Sequence, residues 1–404
     1  MSAVAIFDPD LYVEGPPHEE LERLRETDPV HWQELDDGTG CWAILTHADV
    51  VEVSREPNLF SASEGGVVLE DLAPENLVMM RKMLLAMDPP GHVEYRRPLA
   101  PSFTARSIGR MEERIRGICR DIMASAAAKG DVEFVHDVCS PLPSQVIGEL
   151  MGLPREDWAR VHRWAEQNTS GQDPDFADDN ASNDEPDDGS ATVNMAMYAI
   201  ELAGRRRQEE PRDDLTSLIL GASFDGEPMS DVDFGSFFVQ LVTAGNDTTK
   251  TMLSSGLLAL LEHPDQLAAL RADPGLIPGA IEEILRWANP LHYFRRTATA
   301  DATVHGASIE AGQKLAMVYT SANRDGAVFA DPHRFDIRRD PNPHLSFGIG
   351  EHFCLGAHLA RLEGRVFFEE LLSSFGRIEQ AGDPVRLRSN LNNALKRLPV
   401  RLAA

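Results

Sequence analysis

A chain of 404 residues, 42% of them hydrophobic, carries enough apolar side chains for a large core, and a guide of about 150 residues per domain allows two or three domains. Its 65 acidic against 38 basic side chains give a net charge of −27, which repels nucleic acid and anionic lipid and excludes both as general partners. The four cysteines, at 41, 119, 139 and 354, have no paired spacing; this excludes a disulfide framework or zinc cluster and fits a reducing cytoplasm.

The first twenty residues hold Asp8, Asp10, Glu14, Glu19 and Glu20 and no long apolar run, so neither a secretory signal nor a membrane anchor is expected there. Val30–Leu35 and Cys41–Thr46 flank Asp37-Gly38-Thr39-Gly40 and read as a β-hairpin. A helix is expected over 47–56. Residues 61–80 mix Gly65, Gly66 and Pro74 with Val68, Leu69 and Leu77, the pattern of a long loop with apolar side chains for binding. From Arg106 the 3.6-residue period predicts helices over about 106–128, 141–151, 155–168, 192–209, 212–220, 231–262, 264–272 and 278–288. Between two of them, Gln172–Gly189 holds eight carboxylates in eighteen residues, too much like charge to pack, so a mobile surface loop is expected. Strands are expected within 302–318 and a hairpin in 383–402, giving a mainly α fold with a small β part. The richest apolar stretch, Met252–Leu261, is too short to span a bilayer. Cys119 and Cys139 sit among apolar residues and read as buried thiols.

The most informative segment is Phe347-Gly348-Ile349-Gly350-Glu351-His352-Phe353-Cys354-Leu355-Gly356. Glycines four and six residues before a cysteine allow a tight bulge that turns backbone N–H groups toward the sulfur. A helix opening at Leu355 sets its positive end beside a thiolate. Gly356, without a side chain, lets that helix lie against a flat ring, and Phe347 covers the cysteine's side of it. Within 231–262, an apolar helix expected to cross the core, lies Ala244-Gly245-Asn246-Asp247-Thr248-Thr249. A buried Asp beside two threonines is costly unless used, Gly245 allows close approach of a ligand, and a threonine there can divert a helical hydrogen bond.

The pattern Phe-Gly-x-Gly-x-His-x-Cys-x-Gly resembles the haem-binding loop of the cytochrome P450 superfamily, in its bacterial form. The resemblance covers nearly the whole chain. It implies one domain over 1–404 with the cytochrome P450 fold, a triangular helical prism that holds heme b (iron protoporphyrin IX) between the central helix and the cysteine-loop helix. Cys354 is then the axial ligand of the iron. By the same resemblance, His92 and Arg96 in Met87–Arg96, Arg296 (with Arg295 competing) and His352 hold the haem propionates. Glu283-Ile284-Leu285-Arg286 supplies a structural Glu–Arg pair completed by Arg334, or by Arg339 in reserve. Ala244 lies against the haem, Asp247 relays protons, and Thr248 steadies the bound oxygen.

The reaction implied is insertion of one oxygen atom from O2 into a hydrophobic small molecule, terpenoid or steroid-like by the wording of the central helix. Val68, Leu69, Leu77, Leu241, Leu291, Tyr293, Phe294, Ala394 and Leu395 are the expected pocket lining. No Gly-x-Gly-x-x-Gly fingerprint for flavin or NAD is present, so electrons are expected from a separate ferredoxin and ferredoxin reductase. Arg106, Arg110, Arg114, Arg361 and Arg365 are candidates for a basic docking patch on a chain expected to be monomeric. By position the acidic segment 172–189 corresponds to a lid over the entrance. A haem-thiolate binding or gas-sensing protein without turnover is the alternative, and Asp247–Thr248 argues against it because a binder needs no proton relay.

Overall fold

The computed structural model describes residues 5–177, 190–224 and 226–403. The expected hairpin is present as β1 (Val30–Glu34) and β2 (Gly40–Ile44), paired antiparallel. With β3 (Phe60–Ser61), β4 (Tyr293–Ala298) and β5 (Lys314–Val318) it builds a five-stranded sheet in the order β1-β2-β5-β4-β3. Residues 302–318, expected as strand, split into Ala302–Val304, Ala307–Ile309 and β5. In the tail, Val385–Arg386 pairs with Leu395–Arg397 as the expected hairpin, while Pro399–Ala403 joins Arg377–Gln380 and Asp131–Glu133 in another sheet.

Helices carry the rest: α1 (Gly91–Arg96), α2 (Glu112–Lys129), α3 (Pro141–Leu150), α4 (Trp158–Thr169), α5 (Ala191–Arg206), α6 (Asp231–Glu262), α7 (Ile277–Ala288) and α8 (Ala357–Ser374). The 61–80 segment departs from a plain loop, because Pro74 opens a short helix over Pro74–Met80.

The central helix α6 starts where the Ser230 hydroxyl caps the N–H of Asp233, with Asp231 and Asp233 in the first turn favouring the positive helix end. It stops at His263, ahead of Pro264. Phe234, Phe237, Phe238, Val242, Met252, Leu253, Leu257 and Leu260 are buried around its circumference, as a core-crossing helix requires. Large apolar side chains buried in this way contribute about 1.5–3 kcal/mol each. On α8, Gly364 permits the close crossing of α6, α7 and α8: a Cβ there would stand 2.9 Å from Met252 Cε and 3.1 Å from Ile281 Cδ1. Cys41, Cys119 and Cys139 are buried, whereas Cys354 is exposed. Among the described residues no helix is long and apolar enough to cross a membrane.

The acidic segment is corrected in part. Asp173 is 1% exposed, accepts the backbone N–H of Arg388 at 2.9 Å and pairs with Lys396 at 3.0 Å, so a backbone amide and one lysine let this carboxylate pack. Most of the segment, 178–189, lies outside the described residues, and with it the expected lid.

Candidate active site

The cysteine loop closes on itself. Cys354 N–H donates to the Phe347 carbonyl at 2.8 Å, and Gly348 N–H to that of Leu345 at 2.8 Å. Gly350 has φ +75°, and a Cβ there would stand 2.8 Å from the Ser54 carbonyl oxygen, so glycine is required. Gly348 likewise has φ +65°. The helix after the cysteine starts at Ala357 with Gly356 at its N-cap, not at Leu355. Cys354 keeps solvent-exposed surface, yet the protein packed around its sulfur desolvates it and pushes the thiol above its ordinary pKa, while the Gly356 N–H, Arg96 and Arg361 oppose that by favouring the thiolate. Phe347 packs at the edge of the main core, with the Arg361 guanidinium 4.6 Å over its ring.

Beside the sulfur the structure brings together four basic side chains from three places in the chain. His92, near the start of α1, stacks on His352 of the cysteine loop with ring centroids 4.3 Å apart. Burial first, then Arg96 and Arg296, hold His92 down to about 4; burial, Arg296, His92 and Arg96 hold His352 down to about 2. Burial also lowers the pKa of Arg96 and Arg296. His92 Nδ1 and His352 Nε2 are buried without a hydrogen-bond partner. Asp88, the carboxyl nearest in influence, is turned to Ser61, Ser63 and the Ala62 N–H instead. Buried cationic and imidazole groups left without anions are what a ligand carrying carboxylates completes, so the residues fit the two propionates of heme b. Arg295 is excluded from this group. It points the other way, to Asp71 at 3.0 Å and the Val68 carbonyl at 3.4 Å.

Glu283 and Arg286 are both fully buried and pair bidentately at 2.7 and 2.8 Å. The third member is Arg339, whose Nε lies 3.1 Å from Glu283 Oε2. The expectation of Arg334 is corrected, since its side chain is 63% exposed and faces Asp336 at 3.9 Å instead of Glu283, while its carbonyl is bonded by Arg286 at 3.1 Å and Arg339 at 2.9 Å.

On α6, Thr248 donates its hydroxyl proton to the Ala244 carbonyl at 2.8 Å, and the helix continues unbroken through it. Gly245 packs against α3, where a Cβ would stand 3.2 Å from Ile147 Cδ1. Ala244 beside it is exposed. Asp247 is buried, ion-paired to Lys250 at 2.8 Å and hydrogen-bonded by the Thr169 hydroxyl. Lys250 also holds Glu166 at 2.7 Å. Burial alone would lower the Lys250 pKa, but Asp247 and Glu166 outweigh it and raise it. Lys250, Glu166 and Thr169 are the functional candidates that sequence reading missed. The signal available was a lysine three residues after Asp247 on an otherwise apolar helix.

Asp247 and Thr248 reach a cavity walled by Thr169, Ser170, Pro290, Leu387, Asn392 and Ala394. Of the expected pocket residues, Ala394 is in that wall, and Val68, Leu77, Leu241, Leu291 and Phe294 are half-buried. Leu69, Tyr293 and Leu395 are corrected to core: each is at most 3% exposed and packed in an apolar cluster. The basic patch is also reduced, because Arg114 pairs with Glu149, Arg361 with Glu282 and Arg365 with Glu112. Arg106 and Arg110 remain exposed.

A glycine-framed cysteine beside a basic cluster fitted to propionates, with an acid and an alcohol on the central helix, is an arrangement that fits a haem-thiolate oxygenase. The Cytochrome P450 family model matches residues 275–401. The chain is 38% identical to the steroid C26-monooxygenase of Mycolicibacterium smegmatis over 96% of its length and 91% of the relative's. It is 40% identical to the methyl-branched lipid omega-hydroxylase of Mycobacterium bovis, over 90% and 84%. A Mycobacterium marinum cytochrome P450 solved in complex with pseudoionone superposes with a TM-score of 0.88 at 38% identity, covering 95% and 94% of the two chains. The chain belongs to the cytochrome P450 family. It is a heme b monooxygenase that acts on a hydrophobic small molecule and draws electrons from a redox partner.

Proposed function

We propose that this monooxygenase hydroxylates an extended, branched apolar substrate of the terpenoid or steroid class. Cys354 would hold the haem iron as a thiolate, His92, Arg96, Arg296 and His352 would hold the propionates, and Asp247 and Thr248 serve as the proton-delivery pair. When bound, the haem supplies the oxygen-activating iron, and a thiolate ligand favours O–O cleavage. The observation that carries the reading is the acid–alcohol pair at the cavity. Asp247 and Thr248 share the wall of one small cavity with Thr169, Ser170, Thr251 and Asn392 as well as Pro290, Leu387 and Ala394, so the acid and the alcohol meet a space of mixed polar and apolar lining with a volume of about 20 Å³, room for about one water. Thr248 holds a hydroxyl where a proton must pass, and Asp247 connects it to the buried polar cluster behind.

The substrate class is supported by the names of the relatives, a steroid and a methyl-branched lipid. Titrating steroids, terpenoids and branched fatty acids against the purified holoprotein, with the low- to high-spin absorbance change as readout, tests it. Micromolar binding of a member of these groups followed by a hydroxylated product is the expected result. Binding confined to small aromatic or polar compounds would overturn it.

The electron donor we assign is a separate ferredoxin with its reductase, docking near exposed Arg106 and Arg110. Contacts that tie Asp10 to Arg388 and Asp131 to Arg401 across the chain support a single domain over 1–404. The buried free thiols Cys41, Cys119 and Cys139 support a cytoplasmic location.

A further inference from the structure

Neither carboxyl oxygen of Asp247 is bonded to Thr248, and Oδ1 is held by an ion pair without a hydrogen bond. Oδ1 faces Lys250 Nζ at 2.8 Å, and Oδ2 accepts from the Thr169 hydroxyl. Thr248 in turn gives its own proton to the Ala244 carbonyl. Proton transfer between Asp247 and Thr248 therefore requires one of these restraints to open. The Lys250 restraint is a buried ammonium shared with Glu166 at 2.7 Å, and beyond Glu166 stands His136, Nδ1 at 3.9 Å. His162 also acts on this group, and bonds Ser140 at 2.7 Å. Breaking a buried ion pair is far costlier than releasing one hydroxyl. The Thr169 hydroxyl, moreover, has other acceptors within reach, the Glu166 carbonyl at 3.0 Å and that of Ala165 at 3.3 Å. Thr169 is the restraint that gives way.

Thr169 is also the last residue of α4 and, with Ser170, part of the cavity wall. The chain beyond it is tied to other walls. Asn392 Nδ2 donates to the Thr169 carbonyl at 2.8 Å, and Gln172 bonds Glu70 at 2.8 Å and Asn390 at 3.1 Å. Asp173 holds the Arg388 N–H. The cavity holds only about 20 Å³, room for about one water, so a substrate-sized molecule enters it only by displacing a wall, and Thr169 and Ser170 belong to that wall.

We infer that Thr169 is a positioning residue that couples occupancy of the cavity to proton delivery: its hydroxyl holds Asp247 away from Thr248 while the cavity lacks substrate, and displacement of the 169–173 segment by substrate releases it. The inference rests on the reading of Asp247–Thr248 as the proton-delivery pair. In a holoenzyme driven by a surrogate ferredoxin and reductase, T169V removes the hydroxyl at nearly constant volume. Reductant oxidation without substrate should rise about tenfold, the factor carried by one hydrogen bond to a charged group. Its solvent deuterium isotope effect should change with it, and T169S should restore both. In the unliganded protein, amide hydrogen exchange over 244–250 should quicken in T169V and not in T169S. A merely structural role would move thermal stability and exchange but not the substrate-free oxidation or its isotope effect. If T169V fails to fold, T169A is read the same way. Unchanged substrate-free oxidation in T169V alongside altered coupling in D247N would overturn the inference alone. No change in D247N would overturn the proton-delivery reading and the inference with it.

Discussion

The imidazole of His352 lies 4.3 Å from that of His92, centroid to centroid, with Nε2 of the first and Nδ1 of the second both buried and unpartnered. Two neutral rings kept in contact beside Arg96 and Arg296 make a cradle shaped for anions, and its completion by carboxylates should govern how firmly the cofactor is held. A charge-assisted hydrogen bond contributes about 1.5–3 kcal/mol. His352→Ala should therefore speed haem transfer to an acceptor apoprotein by roughly ten- to a hundredfold. Arg295→Ala, directed at Asp71 instead, should leave transfer unchanged.

The charge network behind the cysteine loop makes a second, two-sided prediction. Arg339→Leu removes a donor from the fully buried Glu283 and also abandons the carbonyls of Ala330 and Arg334 at 2.6 and 2.9 Å. Breaking a buried charge group of this kind costs about 3–5 kcal/mol. Arg334→Leu touches a side chain that is mostly in solvent and should stay within about 0.5 kcal/mol of the parent. Urea denaturation of both variants compares them directly.

The same pair marks where the sequence ceases to be legible. The Gly-x-Gly-x-His-x-Cys loop, Glu283–Arg286 and the helix carrying Asp247 were readable because each is local, with spacing that fixes which side chains share a face. Arg334 and Arg339 stand in one irregular loop, and the choice between them is made by a backbone turn at Asp331, φ 47°, and by the Asp336 N–H bonding Glu283 at 2.8 Å. Neither leaves a trace in residue type. Thr169 and Asp247, or Asp173 and Lys396, meet through tertiary packing alone, so the burial of an acidic segment's first carboxylate was invisible to composition. Arg295 and Arg296 alternate along β4 and point to opposite faces; only the position of the sheet tells which face meets the cysteine loop.

Glu363, on α8 nine positions beyond Cys354, gives a pH-dependent prediction. It is 2% exposed, Oε2 has no partner, and burial pushes its carboxyl up to about 8. With the folded pKa above the unfolded value, the unfolded chain loses its proton first as pH rises. The stability that the protonated form supplies is thus complete below about pH 4.5 and is lost progressively between there and pH 8. Glu363→Gln keeps the shape without the ionisable proton. Its unfolding free energy should exceed the parent's at pH 8 by on the order of 2–4 kcal/mol, and the gap should shrink toward pH 5. A parallel offset at both pH values would assign the effect to packing.

Thr248→Ala separates oxygen binding from oxygen use. The hydroxyl donates to the Ala244 carbonyl four residues back and faces the cavity shared with Asp247, so removing it leaves the unbroken helix in place and leaves Thr251 as the α6 hydroxyl in that wall among the described residues. Cys354 and the propionate cradle lie on other elements. The carbon monoxide difference band of the thiolate-ligated haem should accordingly be unchanged, and substrate affinity should move little. Product formed per reductant consumed should fall by about tenfold or more, since positioned proton transfer is worth at least that factor, with the missing electrons recovered as hydrogen peroxide. Thr248→Ser, which keeps the hydroxyl, should recover most of the coupling. Cys354→Ala should behave in the opposite sense, abolishing the band itself while leaving Asp247, Lys250 and Thr169 in place.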